Sequence, residues 1–211
     1  MMFSGRIAIV RGLIAISPYV LLLAALIMVM PVTVSAETTI DRCQRYYPQI
    51  IKEARFFGGE TAPAHEFMAQ IEIESRCNEG ITAFDGGMGL GQFMPQTADW
   101  IHGQKQALRA LSDKPAPYDP RWAIRALVLY DLDLYRQALC PAWWAAYRAY
   151  NGGLGNINRE IQRAGSCDPA IVARHCQRKV IPVKGGTLDL CKINTEYPAK
   201  IVRAGQKYLR D

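Results

Sequence analysis

Glu74 is the side chain around which chemistry can be built. On a helix turning about 100° per residue, Phe67, Ile71 and Glu74 fall on one narrow stripe (i, i+4, i+7). Glu72 points roughly 160° away from that stripe and can reach solvent. Glu74 therefore occupies a position where an apolar residue is expected. A carboxyl group held on an apolar face has a raised pKa and keeps its proton near neutrality, as a general acid must. Twelve residues further on, Gly86, Gly87, Gly89 and Gly91 crowd into six positions, with Leu90 between them and Gln92 and Met94 just after. Glycine at this density lets the backbone take positive φ and approach a ligand closely. Pro95 then suits the first turn of a following helix. A helix carrying a buried acid, then a tight loop rich in free backbone groups, makes one wall of a cleft.

The elements that must position this wall read as helices throughout. Asp41–Phe57 has Tyr46, Tyr47, Ile50 and Ile51 at helical spacing and stops at Gly58-Gly59. Thr61-Ala62-Pro63 leads into the Glu74 helix, about Ala64–Arg76, which Cys77 closes. A third helix is expected over about Pro95–Ala110, and the polar stretch Ser112–Tyr118 is a surface loop. Asp119-Pro120 reads as an N-cap with proline at N1. The helix it opens, to about Ala138, has Trp122, Ala126, Leu127, Tyr130 and Leu134 as core positions. From Pro141 to Tyr150 the chain is apolar on nearly every face, the mark of a central buried helix that Gly152-Gly153 ends. A helix over about Gly155–Ala164 and a last one over Glu196–Leu209 complete an all-α reading. Between them, Ser166–Lys192 holds three cysteines, several basic residues and Gly185-Gly186, and reads as a disulfide-stapled insertion.

The stretch Glu74–Ala98 resembles the soluble-lytic-transglycosylase-like (SLT) domain family, relatives of the goose-type lysozymes. That family reads Glu-Ser, about a dozen residues, then Gly-x-x-Gly-Leu-Met-Gln-x-x-Pro-x-Thr-Ala. Here the residues are Glu74-Ser75, then Gly86-Gly87-Met88-Gly89-Leu90-Gly91-Gln92-Phe93-Met94-Pro95-Gln96-Thr97-Ala98. A second family element, Ala-Tyr-Asn-x-Gly, is present as Ala149-Tyr150-Asn151-Gly152-Gly153, and a third as Tyr197-Pro198-Ala199-Lys200-Ile201. The resemblance implies a lysozyme-like single domain with a cleft over residues 37–211. It implies an enzyme that cleaves the MurNAc-β-1,4-GlcNAc bond of peptidoglycan and forms 1,6-anhydro-MurNAc. Glu74 would act first as acid, then as base, without metal or cofactor. By the same resemblance, Ser75, Gln92 and Tyr150 or Tyr197 would position substrate or orient Glu74. Asn151 would join a helix end to the cleft floor, and Gly89 and Leu90 would line the cleft. The chain departs from the family at Gly91, where methionine is usual, at Cys77, where an apolar residue is usual, and at Ala83, where serine is usual. Asp85 in the loop is a second carboxylate that would serve a water-using muramidase instead. A third reading, from another class, is a catalytically silent peptidoglycan-binding module.

Composition sets the address. Arg6 and Arg11 precede an uncharged run from Leu13 to Val34, and Val34-Ser35-Ala36 offers a small-x-small cleavage site. Residues 1–36 are therefore expected to be a signal peptide, or a membrane anchor if uncleaved. All six cysteines follow Ala36. An even count in an exported chain suggests up to three disulfides, with fifteen pairings open. There is no Cys-x-x-Cys, and His65, His102 and His175 lack ligand spacing, which argues against zinc. Of 25 basic and 19 acidic residues, Arg6 and Arg11 belong to the leader, leaving 23 against 19 and a net charge of +4. That modest charge suits an anionic wall polymer, and no basic run with interleaved aromatics marks a nucleic-acid partner. A periplasmic or secreted monomer is expected. By analogy with small family members, it would open the wall locally for a secretion or conjugation apparatus.

Overall fold

The computed structural model describes residues 37–177, 179–183 and 185–209. The expected leader, residues 1–36, lies outside the described residues. Thr38 opens the first helix through a reciprocal capping box: its hydroxyl accepts from Asp41 N while the Asp41 carboxylate accepts from Thr38 N at 3.1 Å. This helix, α1 (Thr39–Gln44), is short because Pro48 restarts the chain as α2 (Tyr47–Gly58). The single helix expected over Asp41–Phe57 is thus two.

The next helix, α3 (Ala64–Ser75), bears Glu74 in its last turn. Its end is abrupt: Arg76 and Cys77 both take left-handed backbone, at φ 51° and 59°. A disulfide from Cys77 to Cys43 holds that turn against α1. The helix expected over Pro95–Ala110 divides into α4 (Pro95–Gln104) and α5 (Gln106–Arg109) at an extended Lys105. Lys105 Nζ reaches Asp133 at 2.5 Å, and Arg109 donates back to the carbonyl of His102 at 3.2 Å. The Arg109 bond satisfies a carbonyl left free at the break.

Asp119 caps α6 (Pro120–Gln137) by accepting from Arg121 N at 2.8 Å. Trp122, Ala126, Leu127 and Leu134 are fully buried along it. Arg125 of this helix grips Glu53 of α2 through two hydrogen bonds of 2.8 and 2.9 Å. Then follow α7 (Trp143–Gly152) and α8 (Leu154–Ala164), the latter stopped by left-handed Gly165. The last helix, α10 (Leu190–Gly205), passes into a 3₁₀ turn at Gln206–Tyr208 and packs on both α3 and α7.

The insertion is built rather than loose. It contains α9 (Pro169–Ala173) and an antiparallel pair, β1 (Val180–Val183) with β2 (Gly186–Asp189), in register Val180 to Asp189. The hairpin is the one departure from the all-α expectation among the described residues. Disulfides Cys140–Cys167 and Cys176–Cys191 staple its two ends. Val172 is completely buried in a second core with Leu134, Ala146, Ala149, Ile157 and Ile161. Glu37–Asp211 forms one compact, mostly helical unit around the main core.

Candidate active site

Side chains from segments far apart in sequence act on Glu74. Its own helix supplies the buried face of Phe67, Gln70 and Ile71. From α10, the Tyr197 hydroxyl donates a hydrogen bond to Glu74 Oε1. Burial pushes the Glu74 carboxyl up from 4.5 to about 7, the Tyr197 bond opposes this, and the negative charge of Asp85 adds to the rise. Tyr197 and Tyr150 are themselves pushed well above the usual tyrosine value, first by burial and then by the charge of Glu74. Both remain neutral hydrogen-bond donors.

The glycine loop forms the facing wall. Met88 bridges both Thr82 and Phe93 in antiparallel fashion, so the loop folds back on itself twice. Gly89 takes φ 65°, and a Cβ there would overlap the carbonyl oxygen of Pro117. Gly91 is hemmed in likewise: a Cβ would stand 2.7 Å from the Phe93 ring and 3.0 Å from the Tyr150 hydroxyl. Tyr150 donates to the Gly91 carbonyl at 2.6 Å, tying the end of α7 to this wall. The methionine usual in the family at position 91 has no room in this arrangement.

The other expected residues fall as follows. Gln92 adopts φ 49° and donates through Nε2 to the Gly89 carbonyl at 2.8 Å, a bond internal to its own loop. Ser75 is buried and donates to the Ile71 carbonyl at 3.0 Å, back along its own helix. Leu90 is wholly buried in the main core, so it anchors the loop from beneath and does not face the cleft. Asn151 is exposed at the end of α7, where its Oδ1 accepts from Asn194 Nδ2 at 3.4 Å. Asp85 is exposed in the loop and accepts from Gly87 N at 3.2 Å.

One feature escaped the sequence reading. Asp131 of α6 and Gln70 of α3 are both fully buried behind Glu74. Burial raises the Asp131 carboxyl well above its ordinary value; Gln70 opposes this and the charge of Glu74 adds to it. No side-chain oxygen or nitrogen of the two meets a well-formed hydrogen-bond partner. A buried carboxyl so poorly compensated favours its protonated form. The signal was available, since Leu127, Asp131 and Leu134 repeat the i, i+4, i+7 stripe that singles out Glu74.

A half-buried carboxyl with a near-neutral pKa, oriented by a tyrosine and faced by a glycine loop, has the makings of a one-acid glycosidase site. The profile of the family described as "Transglycosylase SLT domain" matches residues 58–172. The chain belongs to that family. No curated relative matches it in sequence. Among solved structures it is similar to a complex of the 70-kDa soluble lytic transglycosylase with bulgecin A, at 19% identity and TM-score 0.58. That alignment covers 82% of this chain and 26% of the other. The 70-kDa soluble lytic transglycosylase of Escherichia coli aligns at 15% identity and TM-score 0.56, over 84% of this chain and 32% of that one. The chain therefore spans about a quarter to a third of the enzymes it resembles.

Proposed function

We propose that residues 37–211 act as a peptidoglycan lytic transglycosylase with Glu74 as its single catalytic carboxyl. Glu74 gives its proton to the oxygen bridging C1 of N-acetylmuramic acid and the next N-acetylglucosamine, and that bond breaks. The carboxylate left behind takes the proton of the C6 hydroxyl as O6 closes on C1. The product is the 1,6-anhydro sugar, and Glu74 ends as it began, protonated. The observation that carries this reading is the state of Glu74: a pKa near 7 makes one group competent to give and to take a proton at neutrality. Tyr197 steadies the carboxylate in mid-reaction, and Tyr150 holds the Gly91 carbonyl and so the facing wall. Three disulfides support work in an oxidising compartment outside the cytoplasm, with residues 1–36 as the export signal.

The test is mass spectrometry of fragments released from purified peptidoglycan by residues 37–211, beside Glu74→Gln. Anhydro products, about 18 Da (one water) lighter than hydrated ones, are expected from the wild type and none from the variant. Hydrated reducing ends would replace this reading with a muramidase in which Asp85, whose charge already acts on Glu74, activates water. Binding without release would favour a silent wall-binding module.

A further inference from the structure

A second concavity adjoins the proposed active site and is walled by the insertion. It starts at Asp85 and Asn151 and runs between α8 and the hairpin, past Arg159, Arg163 and Lys179. Arg159 and Arg163 stand one turn apart on α8, so their charges share a face. Lys179 approaches from the start of the hairpin on the opposite wall. Among the described residues, Arg163 and Lys179 form no ion pair, and Arg159 bonds only the side-chain oxygen of Asn156. The acids of the groove do not neutralise them. Glu160 is already paired with buried Arg148, and Asp85 lies at the active-site end. Three cations around one groove repel each other unless an anion joins them.

The basic wall is also fixed to the catalytic frame. Asn194, at the start of α10, donates to the Arg148 carbonyl at 2.8 Å and accepts from Arg148 Nε at 3.0 Å. It lies flat on Gly152, where any Cβ would overlap its amide. Cys176–Cys191 closes the hairpin beside it. The groove thus holds its place relative to Tyr150 and Asn151.

Resting on the transglycosylase reading, we propose that this groove binds the carboxylates of the peptide stems on the glycan strand. In an intact strand the lactyl carboxyl of each muramic acid is tied up in the amide to its stem, so the sugars offer no charge to three cations. The stems hang from the muramic acid units and carry free carboxylates, so a strand seated at Glu74 brings anions to the groove mouth at Asp85 and Asn151. The enzyme then favours peptide-bearing strands over bare glycan.

The experiment compares anhydro-product release from intact peptidoglycan with release from strands stripped of their peptides by an amidase and then capped as neutral methylamides at the lactyl carboxyls this frees. The wild type is set against Arg163→Glu/Lys179→Glu and the milder Arg163→Gln/Lys179→Gln. The preference for peptide-bearing strands is expected to fall roughly tenfold in the charge-reversed protein, the worth of two exposed ion pairs. A preference within twofold of wild type in both variants overturns the proposal. In parallel, calorimetry measures binding of a soluble acidic stem tetrapeptide and of inorganic phosphate. Saturable tetrapeptide binding that the charge reversal abolishes is expected even if the wild type cleaves neither substrate, an outcome that would sink the transglycosylase reading alone. Phosphate binding as tightly as the tetrapeptide, or no tetrapeptide binding, overturns the groove assignment.

Discussion

Gly89 lies against the carbonyl oxygen of Pro117 so closely that no side chain fits between them. The glycine loop and the Ser112–Tyr118 loop are locked together at this point, and Gly89 also takes a positive φ of 65°. Gly89→Ala must move Pro117 backbone as well as strain its own. We expect a loss of about 2–4 kcal/mol in urea unfolding and a matching loss of wall-degrading activity. Gly103→Ala, on a helix with open space around it, should be neutral or gain up to about 1 kcal/mol.

The hydrogen bond from Tyr197 and the charge of Asp85 push Glu74 in opposite directions. The acid form is needed to start the reaction, so kcat/KM should fall as pH rises through about 7. Tyr197→Phe removes the bond that favours the carboxylate, and the alkaline limb should move to higher pH. Loss of orientation should also lower kcat roughly tenfold. Asp85→Asn removes a like charge, and the limb should move to lower pH. A pH–rate profile of both variants checks the pair; shifts in the same direction would refute this balance.

Glu74 costs the fold stability at neutral pH. Its pKa rises from 4.5 in the unfolded chain to about 7 in the folded one, so the folded protein holds the proton more tightly. The stabilisation from the protonated form is full below about 4.5 and is lost as pH rises through about 7. Glu74→Gln should therefore be more stable than wild type above pH 7, by on the order of 2 kcal/mol, while being inactive. That gain should vanish near pH 4. Thermal unfolding across this range decides it.

The Cys43–Cys77 bond closes 34 residues and pins two consecutive left-handed residues just after Glu74. Cys43→Ser/Cys77→Ser should cost about 3–4 kcal/mol by chain entropy. Released from strain, Arg76 and Cys77 should relax and the end of α3 should fray. Amide hydrogen exchange should then be faster at Glu74–Asn78 than at the far end of α3.

Much of this was legible because it is periodic or local. Glu74 betrays itself by standing on an apolar stripe, and Asp119 by preceding a proline and a helical pattern. Position along the chain says nothing about which distant side chain will arrive, so the sequence left open which tyrosine meets Glu74. In space, Tyr197 turns to the carboxyl while Tyr150 turns to Gly91. The family resemblance put Leu90 in the cleft, but the double fold at Met88 turns it inward. The hairpin was missed because four-residue strands around Pro182 are too short for alternation to register. Asp131 stands on α6 in the same i, i+4, i+7 register that marks Glu74 on α3, but no glycine loop follows it to draw attention.

The partner that aims Glu74 stands 123 residues further along the chain. A polypeptide delivered from its amino end carries the proposed acid long before it carries the group that steadies it. A chain without α10 lacks the hydroxyl that bonds the Glu74 carboxyl. On the transglycosylase reading, fragments and half-folded copies that lack α10 keep the glutamate without the tyrosine that orients it, and activity comes only with the last helix.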